Sequence, residues 1–263
     1  MHPDVTDLLT TIGIRADRES LVSLLNDAKK ESLSADVLFV RLVELERAER
    51  DRRNLARRNL ARRTVAATIG DCAALDRFDW AWPRSIDREL YTSLCALDFI
   101  DRGENVLFRG PTGVGKSTLA KNLGKLALAR GYSVRCVSLV GALGDILGQE
   151  SIPAAQRRIK RYLQPDLLIL DELGYLPQDT RAGDALYNIV AQRHERASTI
   201  ITTNRPYKEW AQVFPSAACI TALVDRFAQH CHTMDIDADT WRGRPRGASV
   251  TSTTRLKTKQ RRR

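Results

Sequence analysis

Residues 110–117 read GPTGVGKS, a Gly-x-x-x-x-Gly-Lys-Ser pattern between an apolar run, NVLFR, and a helix-forming run that begins at Lys116. That context makes the pattern a phosphate-binding loop. Glycines let the main chain wrap close to an anion with its N–H groups turned inward, and the following helix adds positive charge from its N-terminus. The candidate nucleotide contacts are Gly110, Pro111, Thr112, Gly113, Val114, Gly115, Lys116, Ser117 and Thr118. Lys116 is expected to reach the β- and γ-phosphates, and the Ser117 hydroxyl to ligate magnesium. About 55 residues further along, the apolar stretch LLILDE (167–172) ends in Asp171 and Glu172. A strand would carry Asp171 to its carboxyl end, where it can hold the metal, and Glu172 can polarise an attacking water as general base. An acidic pair after a strand caps a helix in many proteins; the phosphate loop upstream gives this pair its catalytic reading. Asn204, at the end of TIITTN, is a candidate to orient the water or contact the γ-phosphate. Arg226, in LVDRF, is a candidate arginine finger of the kind often supplied by another subunit.

Groups so far apart in sequence need a scaffold that gathers strand ends. Apolar runs alternate with helical stretches in the way that builds a parallel sheet with crossover helices. Strands are expected at 105–110, 132–140, 166–172, 198–204 and 232–237. Helices are expected at 116–131, 154–164, 181–195 and about 217–229, with helical turns near 206–213. Upstream, residues 4–63 read as helices alone: one around 4–11, a second over 17–30, and a third capped by Ser34. Leu38, Leu42 and Leu45 fall within roughly 60° of one another, so the front of the third helix has an apolar face. From Arg52 the stretch RRNLARRNLARR repeats every five residues and advances each arginine pair by roughly 140°. Arg52, Arg53, Arg57, Arg58, Arg62 and Arg63 therefore point all round the axis. A helix polar on every side gains little by packing on its own domain, and needs a solvated or anionic environment. The expected division is a helical N-terminal part over 1–70, the α/β part over 71–240 and a basic, flexible tail over 241–263.

Charge is concentrated in two places. Residues 47–63 carry eight arginines against Glu49 and Asp51, and residues 242–263 carry nine Lys or Arg and no acid, within a net charge of +10. The rest of the chain is mildly acidic. Confining basic charge to two patches is how a phosphate-backbone binder concentrates attraction. No apolar run approaches the roughly 20 residues of a membrane span, and MHPDVTDLLTTIG lacks a secretion pattern, so a cytoplasmic protein without membrane contact is expected. The five cysteines are scattered, and HCH at 230–232 has no companion with ligand spacing, which speaks against structural zinc.

The order LDRFDW, NVLFRGPTGVGKSTLAKNLGKLALARGYSV, DLLILDELGYLP, TIITTNRPYKEW and ALVDRF resembles the IstB family, ATP-dependent helper proteins of IS21-type transposition related to the DnaC helicase loaders among AAA+ ATPases. DELGY and TTNRP are more specific than a phosphate loop alone, and the resemblance covers nearly all of 75–240 besides the arginine-rich helical N-terminus. It implies a P-loop AAA+ parallel sheet flanked by helices, with a small all-α N-terminal domain. It implies ATP and Mg²⁺ bound between adjacent subunits, a nucleotide-dependent homo-oligomer on double-stranded DNA, and a transposase of the same element as partner. By position, Lys116 and Ser117 match the Walker A pair, Asp171 and Glu172 the Walker B pair, Asn204 sensor 1 and Arg226 the trans-acting finger. Arg109 stands where a small residue is common and Ser117 where threonine is usual. The tail GRPRGASVTSTTRLK aligns poorly and leaves Arg255 as the candidate for a second sensor arginine. On this reading the arginine pairs lie along the DNA backbone or dock on the transposase. A helicase loader would share every nucleotide residue; a small-molecule P-loop kinase and a non-catalytic DNA-binding protein with a structural nucleotide site are the remaining alternatives.

Overall fold

The computed structural model describes residues 11, 14, 16–174, 179–214 and 219–241. All but Trp241 of the basic tail and all but the last residue of the expected helix at 4–11 lie outside them. The first helices that the described residues bound are α1 (Arg18–Lys30) and α2 (Ala35–Ala67). Asp17 caps α1 by accepting from the Ser20 N–H at 2.8 Å, and Ser34 caps α2 through Val37. α2 is an unbroken helix of 33 residues, about 50 Å long. Leu38, Leu42 and Leu45 are half-buried, and the helix contacts α1. The far end is fixed differently. Thr68 adopts a left-handed conformation that stops the helix, and its hydroxyl donates to the Cys136 carbonyl at 2.6 Å. Arg63 donates to the Gly131 carbonyl, while Ala67 and Ile69 enter the core.

The helices α3 (Arg88–Leu94) and α4 (Asp98–Asp101) lead into five parallel strands with crossover helices between them. In chain order these are β1 (Asn105–Arg109), α5 (Lys116–Ala129), β2 (Val134–Ser138), α6 (Leu139–Leu147), α7 (Ile152–Leu163), β3 (Leu167–Leu173), α8 (Ala182–Arg193), β4 (Ser198–Thr203), α9 (Trp210–Val213), α10 (Ile220–Ala228) and β5 (Cys231–Asp235). The spatial order is β2-β3-β4-β1-β5. Helices cover both sheet faces, so the central strands are buried along most of their length. Strand alternation divides the core: Val106, Phe108, Ile169 and Ile200 pack against α5, and Leu107, Leu168, Leu170 and Ile201 pack against α6, α8 and α10. Among the described residues, no helix is long and apolar enough to cross a membrane.

All five expected strands are present, but the expected strand over 132–140 stops at Ser138. Its hydroxyl accepts from the Gly141 N–H at 3.1 Å and starts α6, a helix absent from the sequence reading. Two glycines in its nine residues give it poor intrinsic propensity, and burial of Ala142, Leu143 and Ile146 holds it instead.

Among the described residues, one charged side chain lies inside. Arg193, 2% exposed, donates to the carbonyls of Tyr162, Leu163, Pro165, Asp166 and Ser198 and to the Thr199 hydroxyl. It thereby ties the incoming ends of β3 and β4 together; burial pushes its pKa down to about 10, so it stays cationic at neutral pH. Arg193→Met would orphan these carbonyls and is expected to lower the unfolding free energy by about 3 kcal/mol or more, read from urea denaturation.

Candidate nucleotide site

The carboxyl ends of β1, β3 and β4 open into a cavity of about 320 Å³ whose floor is the loop between β1 and α5. Thr112 to Thr118 all line it, together with Glu172, Thr202 and Asn204. Two glycines have no substitute. A Cβ on Gly110 would sit 2.2 Å from the Ile236 carbonyl oxygen; Gly115, at φ +97°, would bring one to 2.6 Å from the Phe78 ring. Gly115 precedes α5 without any side-chain cap, which leaves the first-turn N–H groups directed at the cavity. Lys116 Nζ donates to the carbonyls of Gly110 (2.7 Å) and Pro111 (2.6 Å), so its ammonium is held within the loop.

Asp171 reaches the same floor. The Ser117 hydroxyl donates to its Oδ1 at 2.7 Å, and the Thr202 hydroxyl donates to the same oxygen at 2.5 Å. Hard oxygen donors converging beside a phosphate loop are the donor set magnesium takes, and Ser117 and Asp171 fit it. Thr202 was not assigned from sequence, although TIITTN contains it. Its hydroxyl also accepts from the Glu172 N–H at 2.9 Å. Glu172 has φ +62°, inside an irregularity where the pairing of β3 with β4 slips between Leu170 and Leu173. The bulge costs backbone strain of order 1 kcal/mol and directs the Glu172 carboxylate, exposed, into the cavity. Asn204 reaches across from the end of β4, where its Oδ1 lies 2.5 Å from the place a Cβ on Gly174 would occupy. Arg109 is accounted for separately: it pairs with Asp235 on β5 at 2.5 Å and 2.6 Å, its registered neighbour.

The cavity mouth contains residues that the sequence reading did not assign. Phe78, Trp82 and Trp241 line it. Trp82 meets Trp241 edge-on at 5.2 Å and donates to the Asp239 carbonyl at 3.2 Å, and the Trp241 N–H donates to the Gly113 carbonyl at 3.1 Å. Arg84 pairs with Asp237 at 3.1 Å. The segment before β1 and the segment after β5 thus meet over the loop; the cluster in LDRFDWAW was the available signal. Cys231 and His232 take local partners, the Tyr207 hydroxyl at 3.7 Å and Glu104 at 2.7 Å.

Two groups of predicted residues stand away from this cavity. Arg226 on α10 is half-buried with its guanidinium over the Tyr187 ring, 5.1 Å from the centroid, and does not line the cavity of its own chain. The arginine pairs lie on α2: Arg52 pairs with Glu49, Arg53 with Glu46 at 2.9 Å, Arg63 is held by Gly131, and Arg57, Arg58 and Arg62 are exposed. Arg255 lies outside the described residues.

A parallel sheet in this order, with the phosphate loop after β1 and the acidic pair ending β3, defines a P-loop AAA+ ATPase. The crystal structure of DnaI shares the fold, with a TM-score of 0.53 at 17% identity over 62% of this chain and 90% of that one. The family described as IstB-like ATP binding protein matches residues 12–249, and the chain belongs to it. An insertion sequence ATP-binding protein, y4pL of Sinorhizobium fredii, is 31% identical over 94% of this chain and 99% of its own length. The IS5376 ATP-binding protein of Geobacillus stearothermophilus and the IS21 ATP-binding protein of Pseudomonas aeruginosa are each 32% identical over 64% of this chain, covering 67% and 63% of their own lengths. Gly115→Ala is expected to weaken nucleotide binding at least tenfold, measured by titration with a fluorescent ATP analogue, because the methyl group must displace Phe78 or reshape the loop.

Proposed function

We propose that this chain hydrolyses ATP at subunit interfaces, assembles on double-stranded DNA in the cytoplasm when ATP is bound, and assists the transposase of its element. The observation that carries the reading is the convergence of Lys116, Ser117, Thr202 and Glu172 on one cavity at the strand ends, with Asp171 bonded to Ser117 and Thr202 beside it. The proposed division of labour places DNA and partner contacts in residues 1–70, the ATPase in 71–240 and a basic extension in 241–263.

Loop N–H groups and the α5 N-terminus hold the phosphates, and Lys116 exchanges loop carbonyls for phosphate oxygens. Ser117 and Asp171 would hold magnesium, which supplies charge neutralisation at the phosphates when bound. Thr202 fixes the Asp171 carboxylate and, through the Glu172 N–H, the turn that presents Glu172. Glu172 takes a proton from the attacking water, which Asn204 orients. Arg226 acts across the interface on the neighbouring subunit's nucleotide, which agrees with its place outside its own cavity. ATP favours assembly because the assembled state binds it more tightly.

The test is duplex-DNA anisotropy with sizing, with ATP, with ADP and without nucleotide. The wild type is expected to form a large complex with ATP only. Glu172→Gln is expected to trap that complex while hydrolysis falls about 100-fold or more, and Lys116→Ala to abolish it. DNA binding indifferent to nucleotide, or a stable complex with a replicative helicase in place of DNA assembly, would overturn the reading.

A further inference from the structure

Eight arginines lie between residues 47 and 63 of α2, and the structure divides them. Arg52 and Arg53 are engaged by Glu49 and Glu46, and Arg63 by Gly131. Arg47, Arg50, Arg57, Arg58 and Arg62 are exposed and have no hydrogen bond or ion pair among the described residues. At about 100° per residue these five fall within an arc of about 140°, and the three engaged arginines fall outside it. The division has a structural origin: Glu49 and Glu46 draw Arg52 and Arg53 into ion pairs within the helix, and the Gly131 contact holds Arg63 at the far end. The arc between Arg47 and Arg62 contains one acid, Asp51.

We infer that Arg47, Arg50, Arg57, Arg58 and Arg62 form a one-sided ridge that contacts the phosphates of duplex DNA, while Arg52 and Arg53 are spent on ion pairs within the helix and Arg63 ties its far end to Gly131. This rests on the DNA-binding reading above and reduces the six arginines of the repeat to three while adding Arg47 and Arg50 from outside it. The ridge has two clusters, separated by the seven residues from Arg50 to Arg57, or about 10 Å along the axis. That is close to the roughly 12 Å width of the major groove. A helix laid across the groove therefore puts one cluster on each phosphate rim. Contacts of this kind position without reading sequence.

The experiment measures the salt dependence of duplex affinity for the full chain with ATP. Arg47→Gln/Arg50→Gln is compared with Glu46→Gln/Glu49→Gln/Arg52→Gln/Arg53→Gln, which removes both ion pairs at constant net charge; glutamine preserves helicity, checked by circular dichroism. The first variant is expected to lower the slope of log K against log salt by about 2, and the second to leave it unchanged within about 0.5. Equal losses in both variants would overturn the division. An unchanged slope in the first, with wild-type DNA binding intact, would also overturn it and assign the ridge to a protein partner. A wild type that binds no duplex would instead sink the DNA reading itself.

Discussion

The hydrogen bond from Ser117 to Asp171, 2.7 Å long, joins groups 54 residues apart, and the arrangement of the ATPase serves to let it form. β4 pairs with both β1 and β3, so the carboxyl ends of the two strands that supply these groups lie one strand apart. Right-handed crossovers through helices on both faces give such a sheet its order, and the crevice at its carboxyl edge is where an anionic ligand meets uncapped helix N–H groups. Thr202, on the intervening strand, fills the gap between them and shares the same carboxylate oxygen.

The same loop is joined to the arginine helix. α2 ends where Ile69 packs against Gly124 on α5, and a Cβ at Gly124 would come within 3.2 Å of Ile69 Cδ1. The chain then runs along α5, where Asn122 donates to the Ala73 carbonyl at 2.9 Å, before Phe78 covers Gly115. A few residues thus connect the arginine-rich helix with the nucleotide cavity, both resting on the helix that starts at Lys116. Under the proposed function, the nucleotide loop and the arginine helix are held by one element and need no long relay between them.

The chemistry of the site was legible because it depends on local spacing. A phosphate loop needs glycines at fixed offsets from a lysine and a hydroxyl, and an acidic pair needs only an apolar strand before it. Asn204 and the strand positions followed from the same logic. Thr202 was harder to see, since a threonine in a β-branched strand looks like an ordinary strand former until the neighbouring Asp171 is known to be within 2.5 Å. α6 was missed because its glycines argue against a helix and only the buried side chains overrule them.

The chain by itself determined the α/β class, the phosphate loop with its downstream acidic pair, and the start of the arginine helix at Ser34, all of which follow from periodicity and composition within short windows. Only the tertiary structure decided which arginines of α2 are engaged, because that depends on the rotamers that pair Arg52 with Glu49 and Arg53 with Glu46 and on Gly131 coming to lie beside Arg63. Only it brought Trp82 and Trp241 to the cavity mouth, through contacts between segments more than 150 residues apart that no local pattern encodes. It also set Arg226 outside its own cavity, since the direction of a helix surface is settled by packing. Local rules select what each segment can do; the burial of two sheet faces selects which of those groups meet.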